Sequence, residues 1–294
     1  MRAHPRLSIN QATIKHADLR TALELTAAAG YEAIGLWREP VAEVGLATAC
    51  AMLRDSGLRF TTSCRAGFFT GTGSPDDNRR AIDETAELAA AGAPGSTPTL
   101  VIVAGGLPPG SRDLAGSRAR VRDAIGELVP HARDAGVTLA IEPLHPLYAT
   151  DRCVVSTLAQ ALDLAEPFPP SEVAVTVDTF HVFWDPGAIG AIERAGREGR
   201  IATYQVCDWK TPLAADVLLS RHYPGDGMID FAALTRAVEA TGYDRDIEVE
   251  IFHADIWARD PRDVLEETAQ AFEKVVAPHL LHAPVPSVRR ETTA

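Results

Sequence analysis

The chain has 294 residues, 46% of them hydrophobic, with a formal net charge of -12. That length can bury one large core, and a (β/α)8 barrel with insertions needs about 250 residues, so a single domain is expected over 1–277 with a loosely ordered, proline-bearing tail over 278–294. The acidic balance disfavours binding nucleic acid through its phosphates, and no apolar run approaches the ~20 residues that cross a bilayer.

In chain order, Leu7-Ser8-Ile9-Asn10 reads as a first strand, and the following helix opens at the N-cap candidate Asp18. Ala33 to Trp37 is the second strand, and a helix ending before Gly57 follows it. The third strand is Arg59 to Cys64, and its glycine-rich loop, Arg65 to Asp77, suits a mobile cover over a strand-end site. A helix from about Asn78 to Ala91 leads to the fourth strand, Leu100 to Ala104, and a long helix from about Ala115 to Ala135 to the fifth, Thr138 to Ile141. Beyond a helix over Thr157 to Ala165, the apolar, β-branched run from Val173 to Val177 is a buried sixth strand. Trp184-Asp185-Pro186 should start the next helix. A seventh strand holds Gln205, and the loop from Asp208 to Asp230 is long enough to be functional. A helix over Phe231 to Ala240, an eighth strand around Ile247 to Val249 and a last helix from about Pro261 to Val276 complete the count for a closed barrel. A doubly wound open sheet is the rival, weakened because nothing like GxGxxG follows the first strand.

Four of these strands end in an oxygen donor: Glu142, Asp178, Gln205 and Glu250. A carboxylate at the mouth of a buried strand is costly unless a positive charge meets it, and with no Lys or Arg adjacent a metal ion is the economical partner. Such donors converge only if the strands lie side by side and point the same way, as on one rim of a parallel barrel. The competing explanation is that each acid pairs with a loop Arg or Lys. Three carboxylates and an amide oxygen favour Mn2+, with Mg2+ or Co2+ as alternatives, over Zn2+. Glu248 would lie deeper, on the same face as Glu250. The four scattered cysteines form no CxxC pair and fit reduced thiols in a cytoplasmic protein.

The segments Ile141-Glu142-Pro143-Leu144-His145-Pro146, Val177-Asp178-Thr179-Phe180-His181, Tyr204-Gln205-Val206-Cys207-Asp208-Trp209, Gly225-Asp226-Gly227 and Ile247-Glu248-Val249-Glu250 resemble the xylose isomerase-like TIM-barrel superfamily, of the sugar phosphate isomerase/epimerase type. The resemblance runs almost to Val276 and implies a single (β/α)8 TIM barrel. It implies Glu142, Asp178, Gln205 and Glu250 as ligands of one divalent ion, with Glu142 and Glu250 as the acid/base pair. His181 and Arg221 are implied as substrate contacts. Gln205 departs from the pattern, because the ketose 3-epimerases of the family carry His there, and Gln resembles the lyase branch that includes dehydroshikimate dehydratases.

The expected activity is therefore a metal-dependent isomerisation or epimerisation of a small keto- or aldo-sugar or polyol ketone. The alternative is a lyase that dehydrates a keto-polyol, or splits a ketosugar glycoside, on the same site. Both begin by removing a proton next to a polarised carbonyl, and His145 or His181 is a candidate acid for expelling a leaving group. Trp37, Phe68, Trp184 and Trp209 are candidates for the walls of the pocket, or for packing between helices and barrel. A DNA-repair endonuclease and a non-catalytic sugar-binding subunit are the weaker readings. No motif fixes the oligomeric state, and a homo-oligomer is compatible with the chain.

Overall fold

A computed structural model describes residues 2–71 and 73–281. Its eight barrel strands are β1 (Leu7–Asn10), β2 (Ala33–Trp37), β3 (Arg59–Gly67), β4 (Thr99–Val103), β5 (Thr138–Ile141), β6 (Val173–Asp178), β7 (Ile201–Val206) and β10 (Ile247–Val249). All pair in parallel in the closed order β1-β10-β7-β6-β5-β4-β3-β2. Between β7 and β10 the chain forms a small antiparallel ribbon, β8 (Asp208–Trp209) with β9 (Arg221–His222).

The two faces of the strands bury different chemistry. Leu7, Ile9, Ile34, Phe60, Leu139, Val175, Tyr204 and Val249 point into the main core between barrel and helices. Each such side chain removed from water contributes roughly 1.5–3 kcal/mol, so this shell carries most of the drive to fold. Inside the barrel the residues are small or polar. Ala140, Ala174 and Ala202 form a separate small cluster, and above it sits the carboxylate of Glu248. That carboxylate accepts from Asn10 Nδ2 (2.7 Å), Thr61 Oγ1 (2.5 Å), Thr62 Oγ1 (2.9 Å) and Gln205 Nε2 (2.8 Å). A buried charge becomes tolerable once its lone pairs are filled in this way.

Gly35 is part of the same arrangement, because a Cβ there would collide with the Glu248 carboxylate and stand 2.6 Å from Thr62 Oγ1. Gly35→Ala is therefore expected to lower stability by about 1–3 kcal/mol through overpacking, read as a fall in the thermal unfolding midpoint. An unchanged midpoint would mean that Glu248 does not occupy the barrel interior.

Most expected elements appear where the pattern puts them. The helix after β1 runs Leu19–Ala28, and Asp18 Oδ1 accepts the Thr21 N–H at 2.8 Å as its cap. β3 is longer than expected and runs on to Gly67, so the following loop is shorter, and its helix starts at Pro75 behind a Ser74 cap. Gly67, at φ +110°, brings the backbone so close to Val103 that a side chain has no room. The helix expected at Trp184-Asp185-Pro186 begins only at Ala188. The preceding residues are used otherwise, since Trp184 Nε1 donates to the His181 carbonyl at 2.7 Å and Asp185 Oδ1 accepts the Gly187 N–H at 2.8 Å. At the C-terminal end a turn over Ala277–His279 follows the last helix, and the Leu281 N–H donates to Glu239 at 2.8 Å. The expected tail from 282 onward lies outside the described residues.

Candidate active site

The C-terminal ends of β5, β6, β7 and β10 lie side by side, and each delivers one of the expected oxygen donors. Glu142 directly follows β5, with its N–H on the Ile102 carbonyl at 3.0 Å. Asp178 closes β6, and Oδ1 accepts the Phe180 N–H at 2.8 Å, which starts the helical turn Thr179–Val182. Gln205 stands in register with Asp178 on one side and Glu248 on the other. Glu250 follows β10, with its N–H on the Val206 carbonyl at 3.3 Å. The four residues are between 0% and 7% exposed, so the three carboxyl groups among them are shielded from water.

Ligand atoms of Glu142, Asp178 and His181 lie within 4.8 Å of one another. Glu250 is tied to the same group through Arg221, whose Nη1 is 2.8 Å from Asp178 Oδ2 and 3.2 Å from Glu250 Oε2. Arg221 is only 2% exposed and is clamped between Phe180 and Phe252, at 4.6 and 5.3 Å from the ring centroids. Arg221 thus acts on three buried carboxylates, with Arg65 as a second cation acting on Glu142 and Glu250. The imbalance appears in their titration. Burial, followed by repulsion from Asp178 and Glu250, holds the Glu142 carboxyl well above the usual range, and burial pushes Glu250 up to about 8 against the pull of Arg221.

The orientation of Gln205 bears on whether a cation belongs here. Its Nε2 donates to Glu248 Oε1 at 2.8 Å, and so its Oε1 turns away from that carboxylate; this oxygen is buried without a hydrogen-bond partner. An unpartnered amide oxygen beside three carboxylates is a donor set that a divalent cation fits. Glu142, Asp178, Gln205 and Glu250 would hold it, and His181 is placed to join or replace one of them.

His181 is buried and neutral, its pKa lowered well below the ordinary value by burial and by Arg221. Its Nδ1 accepts the His145 backbone N–H at 3.1 Å, and its Nε2 stands 2.9 Å from Arg221 Nη2. Both ring nitrogens thus face donors, of which a neutral imidazole can accept fully from only one, and the ring lies against the cavity beside Arg221. That cavity measures about 280 Å³, and its walls include Trp37, Phe68, Glu142, His181, Arg221 and Glu250.

Two expected site residues are placed behind this wall. The His145 ring packs on Trp209 (4.9 Å) and Trp184 (5.5 Å), and its Nδ1 accepts the Leu147 N–H at 3.2 Å. Its contact with the site is the backbone N–H that orients His181. Trp184 likewise acts on His181 through its carbonyl. Arg65 was not among the expected site residues. It lines the cavity, lies 5.1 Å from the Trp37 ring and 5.0 Å from the Phe68 ring, and has a buried Nε without a partner. Its position one residue beyond the expected third strand was the available signal. Asp208 caps the loop it begins, accepting the N–H groups of Trp209, Gly225, Gly227 and Ile229 at 2.8–3.1 Å.

A parallel eight-stranded barrel with acids gathered on its C-terminal rim defines a class, and the chain belongs to it: the model of the xylose isomerase-like TIM-barrel family matches residues 23–275. A protein of Sinorhizobium meliloti 1021 with a crystal structure is 43% identical, superposes with a TM-score of 0.86, and is matched over 92% of this chain and 98% of its own. Among curated proteins, the inosose isomerase of Bacillus velezensis is 25% identical over 161 residues, 54% of this chain and 55% of that protein. The L-ribulose 3-epimerase of Mesorhizobium japonicum is 29% identical over 139 residues, 47% of this chain and 42% of that protein. The chain thus spans about half the length of the curated relatives it matches.

Proposed function

We propose that the protein is a divalent-metal-dependent isomerase or epimerase of a small keto-sugar or polyol ketone, working by proton transfer at the carbon next to the carbonyl. The observation that carries this reading is the gathering of three buried carboxylates around one arginine, with the unpartnered Gln205 oxygen beside them. The inosose isomerase and ketose epimerase relatives support the substrate class. Mn2+ is the ion that the hard-oxygen set favours, and when bound it supplies Lewis-acid polarisation of the substrate carbonyl.

The protein's own groups divide the remaining work. A carboxylate whose pKa is raised is a stronger base than an exposed one, so of Glu142 and Glu250 one takes the substrate proton and the other serves as the exchange group on the opposite side of the reacting carbon. Arg221, unable to lose its proton, faces the oxygen that becomes negative, and the His181 ring nitrogen 2.9 Å from its Nη2 holds the guanidinium in place. Trp37 and Phe68 limit the water around the reacting carbon.

Gln205 keeps a second reading in play, in which the same proton removal is followed by loss of a β-substituent. Elemental analysis of the purified protein, followed by incubation with ketoses and inososes in D2O, tests both. The expected result is about one Mn2+ per chain and deuterium gained next to the carbonyl without loss of water. An enone product would replace the isomerase reading with the lyase one, and a protein that binds no divalent ion would remove both.

A further inference from the structure

The catalytic cavity does not end at Trp37. A second cavity of about 620 Å³ opens beside it and shares four wall residues with it: Trp37, Arg65, Leu218 and Phe252. Small-molecule sites commonly occupy about 300–1,000 Å³, so the inner cavity alone lies at the bottom of that range and the outer one adds more than its own volume.

The outer cavity has a defined chemistry. Trp37, Phe252 and Trp257 form a continuous aromatic wall, with ring centroids 5.5 and 5.8 Å apart along the row. The rings meet nearly edge to face, at 68° and 74°, with Arg65 over Trp37 and Lys15 over Trp257. The row thus offers ring edges and apolar carbon beside two cationic donors, a surface that suits the C–H groups and hydroxyls of a sugar ring. Two donors at the wall lack acceptors: Gln11 Nε2, on a side chain 2% exposed whose oxygen accepts the Trp37 N–H, and Arg65 Nε. A buried donor without a partner costs about 1–3 kcal/mol, which a ligand oxygen recovers. The charges exclude one kind of ligand. Lys15 and Arg65 are outnumbered by Asp18, Glu39, Glu43 and Asp216 around the cavity, a field that repels phosphate and carboxylate.

We propose that the substrate carries a second, uncharged, hydroxylated ring, as a glycoside of the reacting ketose does, and that this ring lies in the outer cavity against Trp37, Phe252 and Trp257. The assignment rests on the reading above only in placing the reacting carbonyl between Glu142 and Glu250. Arg65, which lines both cavities, then contacts both rings, and Gln11 takes a hydroxyl of the distal one.

The test uses D-fructose, D-fructose 6-phosphate and three disaccharides that carry a glucosyl ring on the same fructose: turanose (on O3), maltulose (on O4) and isomaltulose (on O6). Equilibrium binding is measured by calorimetry on the Mn2+-loaded Glu142→Gln protein, in which proton transfer is blocked. At least one disaccharide is expected to bind tenfold or more tighter than either fructose or its phosphate. Adding Gln11→Leu, or the more exposed Trp257→Ala, should weaken that disaccharide at least fivefold and leave fructose within twofold. Equal or tighter binding of fructose or its phosphate overturns the proposal, as does an equal loss for both sugars in the variants or no binding of any sugar. Deuterium exchange by the unmutated protein is scored separately. Selective disaccharide binding without exchange sinks the proton-transfer reading and leaves the outer cavity's assignment standing.

Discussion

Glu142→Gln and Glu250→Gln are each expected to slow turnover by about 10³-fold or more, the scale on which a positioned acid or base contributes. Gln keeps an oxygen near the cation and roughly the same volume, so metal content and the thermal midpoint should change little, and the loss should fall on kcat. The two variants separate an epimerase from an isomerase. With one carboxylate on each face of the reacting carbon, each variant should still wash deuterium into one substrate epimer while failing to invert it. An isomerase should leave no such half-reaction. Turnover within tenfold of the unmutated enzyme in Glu142→Gln would mean that another group removes the proton.

The second large effect is a coupling between metal and protons. Glu142 and Glu250 titrate above their ordinary values when folded, Glu250 at about 8 and Glu142 well above the usual carboxyl range, so above those ordinary values the folded protein holds more protons than the unfolded chain. Its stability without metal is therefore highest near pH 5 and falls as the pH rises through 8. A divalent ion needs these carboxylates ionised, so its binding should release about one proton or more at pH 7, and the share released by Glu250 should shrink as the pH rises through about 8. Saturating Mn2+ should raise the thermal midpoint on the order of 10 °C at pH 8 and by less at pH 6. Heats of binding in buffers of different ionisation enthalpy count the protons directly. A midpoint that rises equally at both pH values would mean that the carboxylates are ionised before the ion arrives.

The sequence made the strand ends legible because a β-branched run that stops at an acid leaves few interpretations. Val173 to Asp178 is buried along its whole length in the structure, as its composition requires. The inward step of two residues also placed Glu248 beneath Glu250. What compensates Glu248 was not readable, because the Asn10 amide, the Thr61 and Thr62 hydroxyls and the Gln205 amide come from three other strands whose registers no local pattern encodes. The bulge in β3 between Cys64 and Ala66 hid Arg65 in the same way, by breaking the alternation on which facing was inferred. Arg221 was expected to touch substrate. Its further part, as the cation held among Asp178, Glu250 and His181 by two aromatic rings, depends on a loop fold that spacing does not reveal.

That loop is closed at its base by the four N–H groups that converge on Asp208. The ribbon of β8 and β9 fixes where Arg221 enters the site, while the bight between them sends Asp216, Leu218 and Leu219 out along the outer cavity. On the readings proposed above, Arg221 serves the chemistry while Asp216 and Leu219 bear on the choice of molecule, with Leu218 lining both cavities. If so, exchanging residues 211–219 is expected to change which sugar binds while the guanidinium of Arg221 stays in place.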